Sequence, residues 1–368
     1  MRRRALVPTA LVPPIAPSLA LGLRSLAPSL ALGLCWGLCL GLAGCASTPP
    51  PLFPRVGPPL VWPPPPDTPR IEYVGELRGP GSVVAPPQGW AAFSAAVTGA
   101  RSLPDEFVGP SAVAVAGEQV FVIDGGAKAV YGLALDQRDA WALTGPPDEP
   151  FLLPIDLDFW VTQLVIADRL RDCLYLTDPH GKAWRKLPLP AGAAPVAVAV
   201  DAPAGAAWVA DAANHCLWRV PLDGRPPEQY GRRGAAPGEF NFPTGLACDP
   251  NLGVVVADAM NFRVQMLDPN GAPRLAFGQN GNGAGNFARP RDVAVDRDGH
   301  IYVLDNQFEN VQIFDKTGRM LMAFATGGHG RGDLSVPAGL CIDATNRIWV
   351  ADTFNRRLQV FRYLPEGP

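Results

Sequence analysis

Charge and histidine are both scarce in this chain: 18% of its residues are charged, and only four of 368 are histidine. A chain so low in charge and 48% hydrophobic can bury a large core, which excludes wholesale disorder. The four histidines, His180, His215, His300 and His329, fall in no familiar metal-ligand spacing. No Cys-x-x-Cys-His string occurs, so no c-type haem is attached. A sustained helical period is missing as well, while 42 prolines and 39 glycines demand frequent turns. Together these absences point to an all-β chain with no cofactor and no metal.

What is present at the beginning reads as a targeting device. Arg2, Arg3, Arg4 and Arg24 precede an uncharged, leucine-rich run over residues 26–44 that ends in Leu42-Ala43-Gly44-Cys45. That tetrapeptide resembles a bacterial lipobox, which makes residues 1–44 a lipoprotein-type signal and Cys45 the lipidated residue. The same run is long enough to stay uncleaved and span a bilayer. Both readings place the remainder outside the cytoplasm, and Ala46 after the cysteine points to the periplasmic side of the outer membrane. Residues 45–70 follow as a proline-rich linker, expected to be a spacer that is either extended, with a reach of about 80 Å, or disordered. Removing the four arginines before Cys45 from 31 basic residues leaves 27 against 34 acidic ones, a net of −7 that does not suggest a nucleic-acid partner.

From residue 110 the chain repeats itself. Pro110, Pro154, Pro195, Pro243, Pro290 and Pro337 each precede, by 14 to 16 residues, an aspartate that closes an aliphatic run: Asp124, Asp168, Asp211, Asp258, Asp305 and Asp352. Each of the six units carries short β-branched or aliphatic runs separated by turn residues. In the fifth, residues 292–295, 301–304, 311–314 and 320–324 read as strands a to d. Gly299 and Gly318 end the a–b and c–d turns, where a positive φ is needed. Four antiparallel strands repeated in a ring solve the exposed-edge problem as a propeller. The sixth unit stops after strand c, so Ile71–Leu77, an alternating segment with no other partner, is expected to complete that blade. Residues 78–109 are then a connector, with Trp90, Phe93 and Val97 at helical spacing over residues 88–100.

The strings Asp258-x-x-Asn261-x-Arg263-Val264-Gln265 and Asp352-x-x-Asn355-x-Arg357-Leu358-Gln359 are similar to the NHL repeat. The resemblance runs from Pro110 to the end of the chain, strongly in the last four units and weakly in the first two. It implies a six-bladed β-propeller over residues 71–368. NHL-like relatives include amidating lyases with an axial three-histidine metal centre. That centre is not expected here, because the four histidines divide between opposite ends of the blades. Lactonase-like and strictosidine-synthase-like propellers place acids where inner strands meet the channel. The matching positions here, Ser111, Asp156, Val196, Thr244, Arg291 and Ala338, supply no set of carboxylates. Arg291 and Asp292 form either an ordinary surface pair or an anion site.

The remaining aspartate, cysteine and loop readings follow from register. Asp258, Asp305 and Asp352 are expected to satisfy turn amides and not to bind calcium. Cys173, Cys216, Cys248 and Cys341 are expected as unpaired, largely buried thiols. Met260, Phe262, Phe308 and Phe354 in b–c loops, with Arg232, Arg233, Arg289, Arg291 and Arg331 near the d–a loops, make a candidate interaction face. The expected protein is a monomeric, membrane-tethered scaffold or ligand-binding propeller serving an envelope protein. The competing reading is a secreted lyase or lactonase that uses the axial channel.

Overall fold

The computed structural model describes residues 50–84 and 103–365. The signal-like segment, Cys45 and the segment with helical spacing over residues 88–100 lie outside the described residues.

Six antiparallel sheets form a ring. Strand a of each blade packs against strand a of the next, from Pro110–Ala116 through Pro154–Trp160, Pro195–Asp201, Pro243–Asp249 and Pro290–Val295 to Gly339–Ile342 and back. Within each blade the chain moves outward through strands b, c and d. Strand b is the most buried: Gly253–Asp258 and Ala206–Asp211 are buried along their whole length. Such runs alternate no polar residues because both faces of a blade are covered by its neighbours. Outer strands such as Pro273–Phe277 are largely exposed or half-buried. Gly299 and Gly318 take φ values of +82° and +80°, as the turn chemistry requires.

The last blade is closed from the other end of the chain. Ile71–Leu77 pairs antiparallel with strand c of blade 6, Arg357–Tyr363, in a register from Ile71 opposite Tyr363 to Leu77 opposite Leu358. An ion pair adds to the ladder: the buried Arg357 donates from Nη1 to Glu76 Oε2 at 2.7 Å, across 281 residues of chain. Without Ile71–Leu77, strand c of blade 6 would present a row of unpaired backbone groups.

The proline-rich segment departs from the expected spacer. Residues 51–70 lie against the propeller, and Val61–Trp62 pairs with Ile71–Leu77 as a fifth strand of blade 6. Two aromatic side chains hold it there. Trp62 sits edge-on to Phe361 at 5.7 Å between ring centres and close to Phe324. Phe53 lies over Gly75 and edge-on to Trp349 at 6.4 Å. A Cβ on Gly75 would fall 2.6 Å from the Phe53 ring, so glycine is what admits it. Counting prolines suggested a solvated rod, whereas Phe53 and Trp62 find apolar ground to bury against.

Truncation separates the two layers of closure. A chain beginning at residue 63 loses Phe53 and Trp62 and should melt roughly 5–10 °C lower, still cooperatively. One beginning at residue 78 should lose the cooperative transition. Calorimetry showing an unchanged melt for the second truncation would refute closure by Ile71–Leu77.

Candidate functional site

Each strand b ends in a buried aspartate, and the loops at one face of the ring hang from these six carboxylates. Asp124 accepts the amides of Val108, Gly109 and Ala127, and Asp168 those of Leu152, Leu153 and Leu170. Asp305 accepts Ala288, Arg289, Gln307 and Phe308. One side chain thereby fastens both the d–a loop leading into its blade and its own b–c loop. The structural role expected for Asp258, Asp305 and Asp352 is what this geometry provides. The sequence points only to the turn amides, not to the loop 16 to 17 residues upstream.

The repeat motif converges on the same carboxylate. Asp258 Oδ2 accepts Asn261 Nδ2 at 2.8 Å, Arg263 Nε at 2.9 Å and Gln265 Nε2 at 3.1 Å. Asp352 is held in the same way by Asn355, Arg357 and Gln359. In blade 3, where Cys216 replaces the arginine, Trp218 Nε1 donates to Asp211 Oδ2 at 3.0 Å.

On that face several apolar side chains stand in solvent. Phe354 is 69% exposed, and Val108, Leu152, Leu170, Phe242 and Met260 are exposed beside it on other blades. Every one of these six donates its backbone N–H to a fixed acceptor: Asp124, Asp168 twice, His215 Nδ1, the Asn241 carbonyl and the Ser335 carbonyl. Of the residues expected here, Met260 and Phe354 are exposed, while Phe262 and Phe308 are half-buried. Val108, Leu152, Leu170 and Phe242 were missed. Three of them are aliphatic, and only their place in the d–a and b–c loops marks them.

The arginines divide by partner. Arg232 pairs with Glu239 at 2.9 Å, and Arg331 lies over the Tyr73 ring at 5.3 Å. Asp333, two residues on from Arg331, accepts Gly330 N and Thr326 Oγ1. Arg233 and Arg289 are exposed, and Arg291 is half-buried at the axis.

The axial channel corrects the sequence reading in which no carboxylates gathered. Asp156 and Asp158 of blade 2 and Asp292 of blade 5, facing blades of the ring, line a cavity of about 160 Å³ with Cys248 and Cys341. A bulge one residue after the proline, between Pro154 and Asp156 and between Pro290 and Asp292, shifts the facing of strand a. Counting inward positions from the proline therefore misplaces them. These carboxylates are tied to the next blade. Asp156 accepts Val198 N at 2.7 Å, Asp158 accepts Val200 N at 2.7 Å, and Asp292 accepts Leu340 N at 2.8 Å. Burial pushes all three up from the ordinary carboxylate range: Asp158 to about 6, and Asp156 further through repulsion from Asp292. Burial likewise lowers the Arg291 guanidinium.

The four cysteines are free, as expected, with Cys173 and Cys216 buried and the two channel thiols half-buried. Burial, first of all, pushes all four thiols up, which makes them inert as nucleophiles at neutral pH. Asp296, Asp298 and His300 gather in the a–b turn of blade 5, but Asp296 already accepts two turn amides, His300 Nδ1 and Tyr302 Oη. A larger hollow of about 660 Å³ lies between residues 53–59 and Ile71–Leu77, away from the axis and lined by the arm itself.

Two stability measurements follow. Asp352→Ala strips Arg357 of a buried partner and should cost about 3–5 kcal/mol in urea unfolding. Asp124→Ala frees only amides and should cost about 1–3 kcal/mol; equal losses would contradict the special role of the cation. For Asp158, a raised folded pKa means the native state holds the proton more tightly. Its contribution is present below the unfolded value of about 3.9 and lost as pH rises through about 6. Asp158→Asn should therefore gain in melting temperature relative to wild type between pH 4 and pH 8, and parallel curves would contradict this.

With this geometry established, comparison places the chain. The model of the NHL repeat matches residues 287–314 and 334–361. No curated protein matches. Among solved structures, the virginiamycin B lyase of Staphylococcus aureus superposes with a TM-score of 0.52 at 14% identity, over 70% of this chain and 96% of that one. A gluconolactonase of Xanthomonas campestris does so at 0.56 and 16%, over 85% and 99%. An auxiliary nutrient binding protein of Bacteroides thetaiotaomicron gives 0.56 and 11%, over 70% and 69%. At such identities the likeness is one of fold, and with the repeat match the chain is a six-bladed β-propeller in which residues 287–314 and 334–361 are NHL repeats.

Proposed function

We propose that this propeller is a recognition module, tethered through Cys45 to a bacterial membrane on its extracytoplasmic side, that binds a protein partner of the envelope with its b–c and d–a loop face. The observation that carries this reading is the set of six exposed apolar side chains whose backbones are all hydrogen-bonded in place. Exposed apolar groups on loose loops would collapse onto the surface or pay ordering entropy on binding. Groups held in advance lose little freedom when a partner covers them. The lipobox-like string before Cys45 supports the tether.

A second reading, an enzyme using the channel, draws on Asp156, Asp158, Arg291 and Asp292 and on the lyase and lactonase of similar fold. Two observations weigh against it. The carboxylates are engaged by amides of the neighbouring blade, and the cavity of about 160 Å³ is smaller than the roughly 300–1,000 Å³ of pockets that enclose a drug-sized ligand.

Affinity purification from membranes tests the proposal. The triple variant Leu170→Ser, Met260→Ser, Phe354→Ser should lose the partner that wild type retains, while Val161→Ser on the opposite face keeps it. Since such surface changes usually cost under about 0.5 kcal/mol each, melting should hardly move. Retention of the partner by the triple variant would reject this face. Cys45→Ala should abolish incorporation of labelled fatty acid and release the chain from membranes.

A further inference from the structure

We propose that the hollow between residues 53–59 and Ile71–Leu77 binds the headgroup of an anionic phospholipid, taken from the membrane to which Cys45 tethers the chain. The sequence itself makes the hollow. Phe53 is seated over Gly75, and the Leu60 carbonyl accepts Tyr73 N at 2.9 Å, so the six residues between are held at both ends. Three of those six, Pro54, Pro58 and Pro59, have no N–H to give a neighbouring strand, and the pairing begun at Val61–Trp62 does not run on through them. All six stand exposed as an arch beside a space of about 660 Å³. That volume lies within the roughly 300–1,000 Å³ of pockets that enclose a small molecule.

Three arginines line the hollow from three segments: Arg55 of the arch, Arg331 of the d–a loop leading into blade 6, and Arg362 of strand c of that blade. Arg331 lies over the Tyr73 ring at 5.3 Å, and a Cβ on Gly57 would fall 3.2 Å from its Nη1, so arch and loop meet at this side chain. Among the described residues, none of the three guanidinium groups makes a salt bridge or a hydrogen bond. Of the two acids in the lining, Glu76 is already held by Arg78 and by Arg357, each at 2.7 Å. Glu72, opposite Arg362 in the ladder, leaves three cations against one anion, a net of +2. Val56 stands among them, 61% exposed. Guanidinium groups match the oxygens of a phosphate, and cations beside an exposed apolar side chain match a phosphate next to hydrocarbon, as at a bilayer interface. Chain length favours a lipid over a free phosphate. Phe53 lies eight positions after Cys45, a span of at most about 29 Å, so an anchored chain holds the hollow near the leaflet at the high effective concentration of a short tether. The inference rests on the tether in the proposed function and not on the apolar face.

Titration calorimetry of the chain purified from cells, in neutral detergent at low ionic strength, tests this with three probes: dihexanoyl phosphatidylglycerol, its zwitterionic counterpart dihexanoyl phosphatidylcholine, and glycerol phosphate. Saturable binding of phosphatidylglycerol is expected, at least about tenfold tighter than that of either other probe. At roughly fivefold for each arginine near an anionic lipid, Arg55→Gln should bind it about fivefold more weakly and the double variant Arg331→Gln, Arg362→Gln about 25-fold more weakly. All three side chains are exposed, so these variants should melt close to wild type. Arg289→Gln, outside the hollow, should leave binding unchanged, as should the Leu170, Met260 and Phe354 variant. Glycerol phosphate binding as tightly as phosphatidylglycerol would assign a free phosphate and reject the lipid. No saturable binding, equal binding of phosphatidylcholine, or an equal loss in Arg289→Gln would overturn the site. Fatty-acid labelling of Cys45 on the same preparation keeps the two readings apart: a labelled chain that ignores phosphatidylglycerol refutes this site alone, and an unlabelled chain that binds it through these arginines refutes the tether alone.

Discussion

One buried carboxylate per blade holds this molecule's working face together. A propeller's strands satisfy one another, but its loops at the b–c and d–a end are long and irregular, and their amides need acceptors. The aspartate at the end of strand b supplies two oxygens at the place where the incoming d–a loop and the outgoing b–c loop meet. Burial of an ionised group without partners would be prohibitive. Here the partners number one to four backbone amides, and in blades 4 and 6, where there is one, the side-chain amides of the Asn and Gln and a guanidinium are added. The spacing Asp-x-x-Asn-x-Arg-x-Gln is then the set of donors that can reach one carboxylate from the loop and from alternate residues of strand c.

The ring has a seam, and the strongest of these carboxylate sites lies on it. Arg357 donates to Asp352, to Glu76 of the closing strand, and to the carbonyls of Gly330 and Asp333 in the preceding loop. The end of strand b, the preceding d–a loop and the closing strand from the other end of the chain are joined by one side chain that is 2% exposed. The arm at residues 51–62 then covers the new edge and places two aromatic rings against blade 6. Joining chain ends costs loop-closure entropy that grows only slowly with length, so one strand and one buried ion group can balance it.

Much of this was legible because propeller strands repeat and their signals sum. The six prolines and aspartates, the turn glycines Gly299 and Gly318, and Ile71–Leu77 as the missing strand all follow from register. What escaped was of two kinds. The bulge after the strand-a proline of blades 1 to 5 is a backbone event with no residue of its own, and it hid the convergence of Asp156, Asp158 and Asp292. The docking of residues 51–70 depends on Phe53 meeting the bare backbone of Gly75, a contact between residues with no pattern linking them. Local composition there said proline, and tertiary packing used the aromatics.

A repeated scaffold leaves function to the places where repeats differ. The second residue after each strand-b aspartate is held in the same loop on every blade, yet it is glycine, leucine, alanine, methionine, glutamine and phenylalanine in turn. The scaffold cannot require leucine, methionine and phenylalanine there, because Gly126, Ala213 and Gln307 occupy the equivalent place on blades 1, 3 and 5. Burial does not explain them either, since all three are exposed. Residues that the fold neither buries nor repeats carry a cost in solvation with no return inside the molecule, and an outside partner is what would offset it.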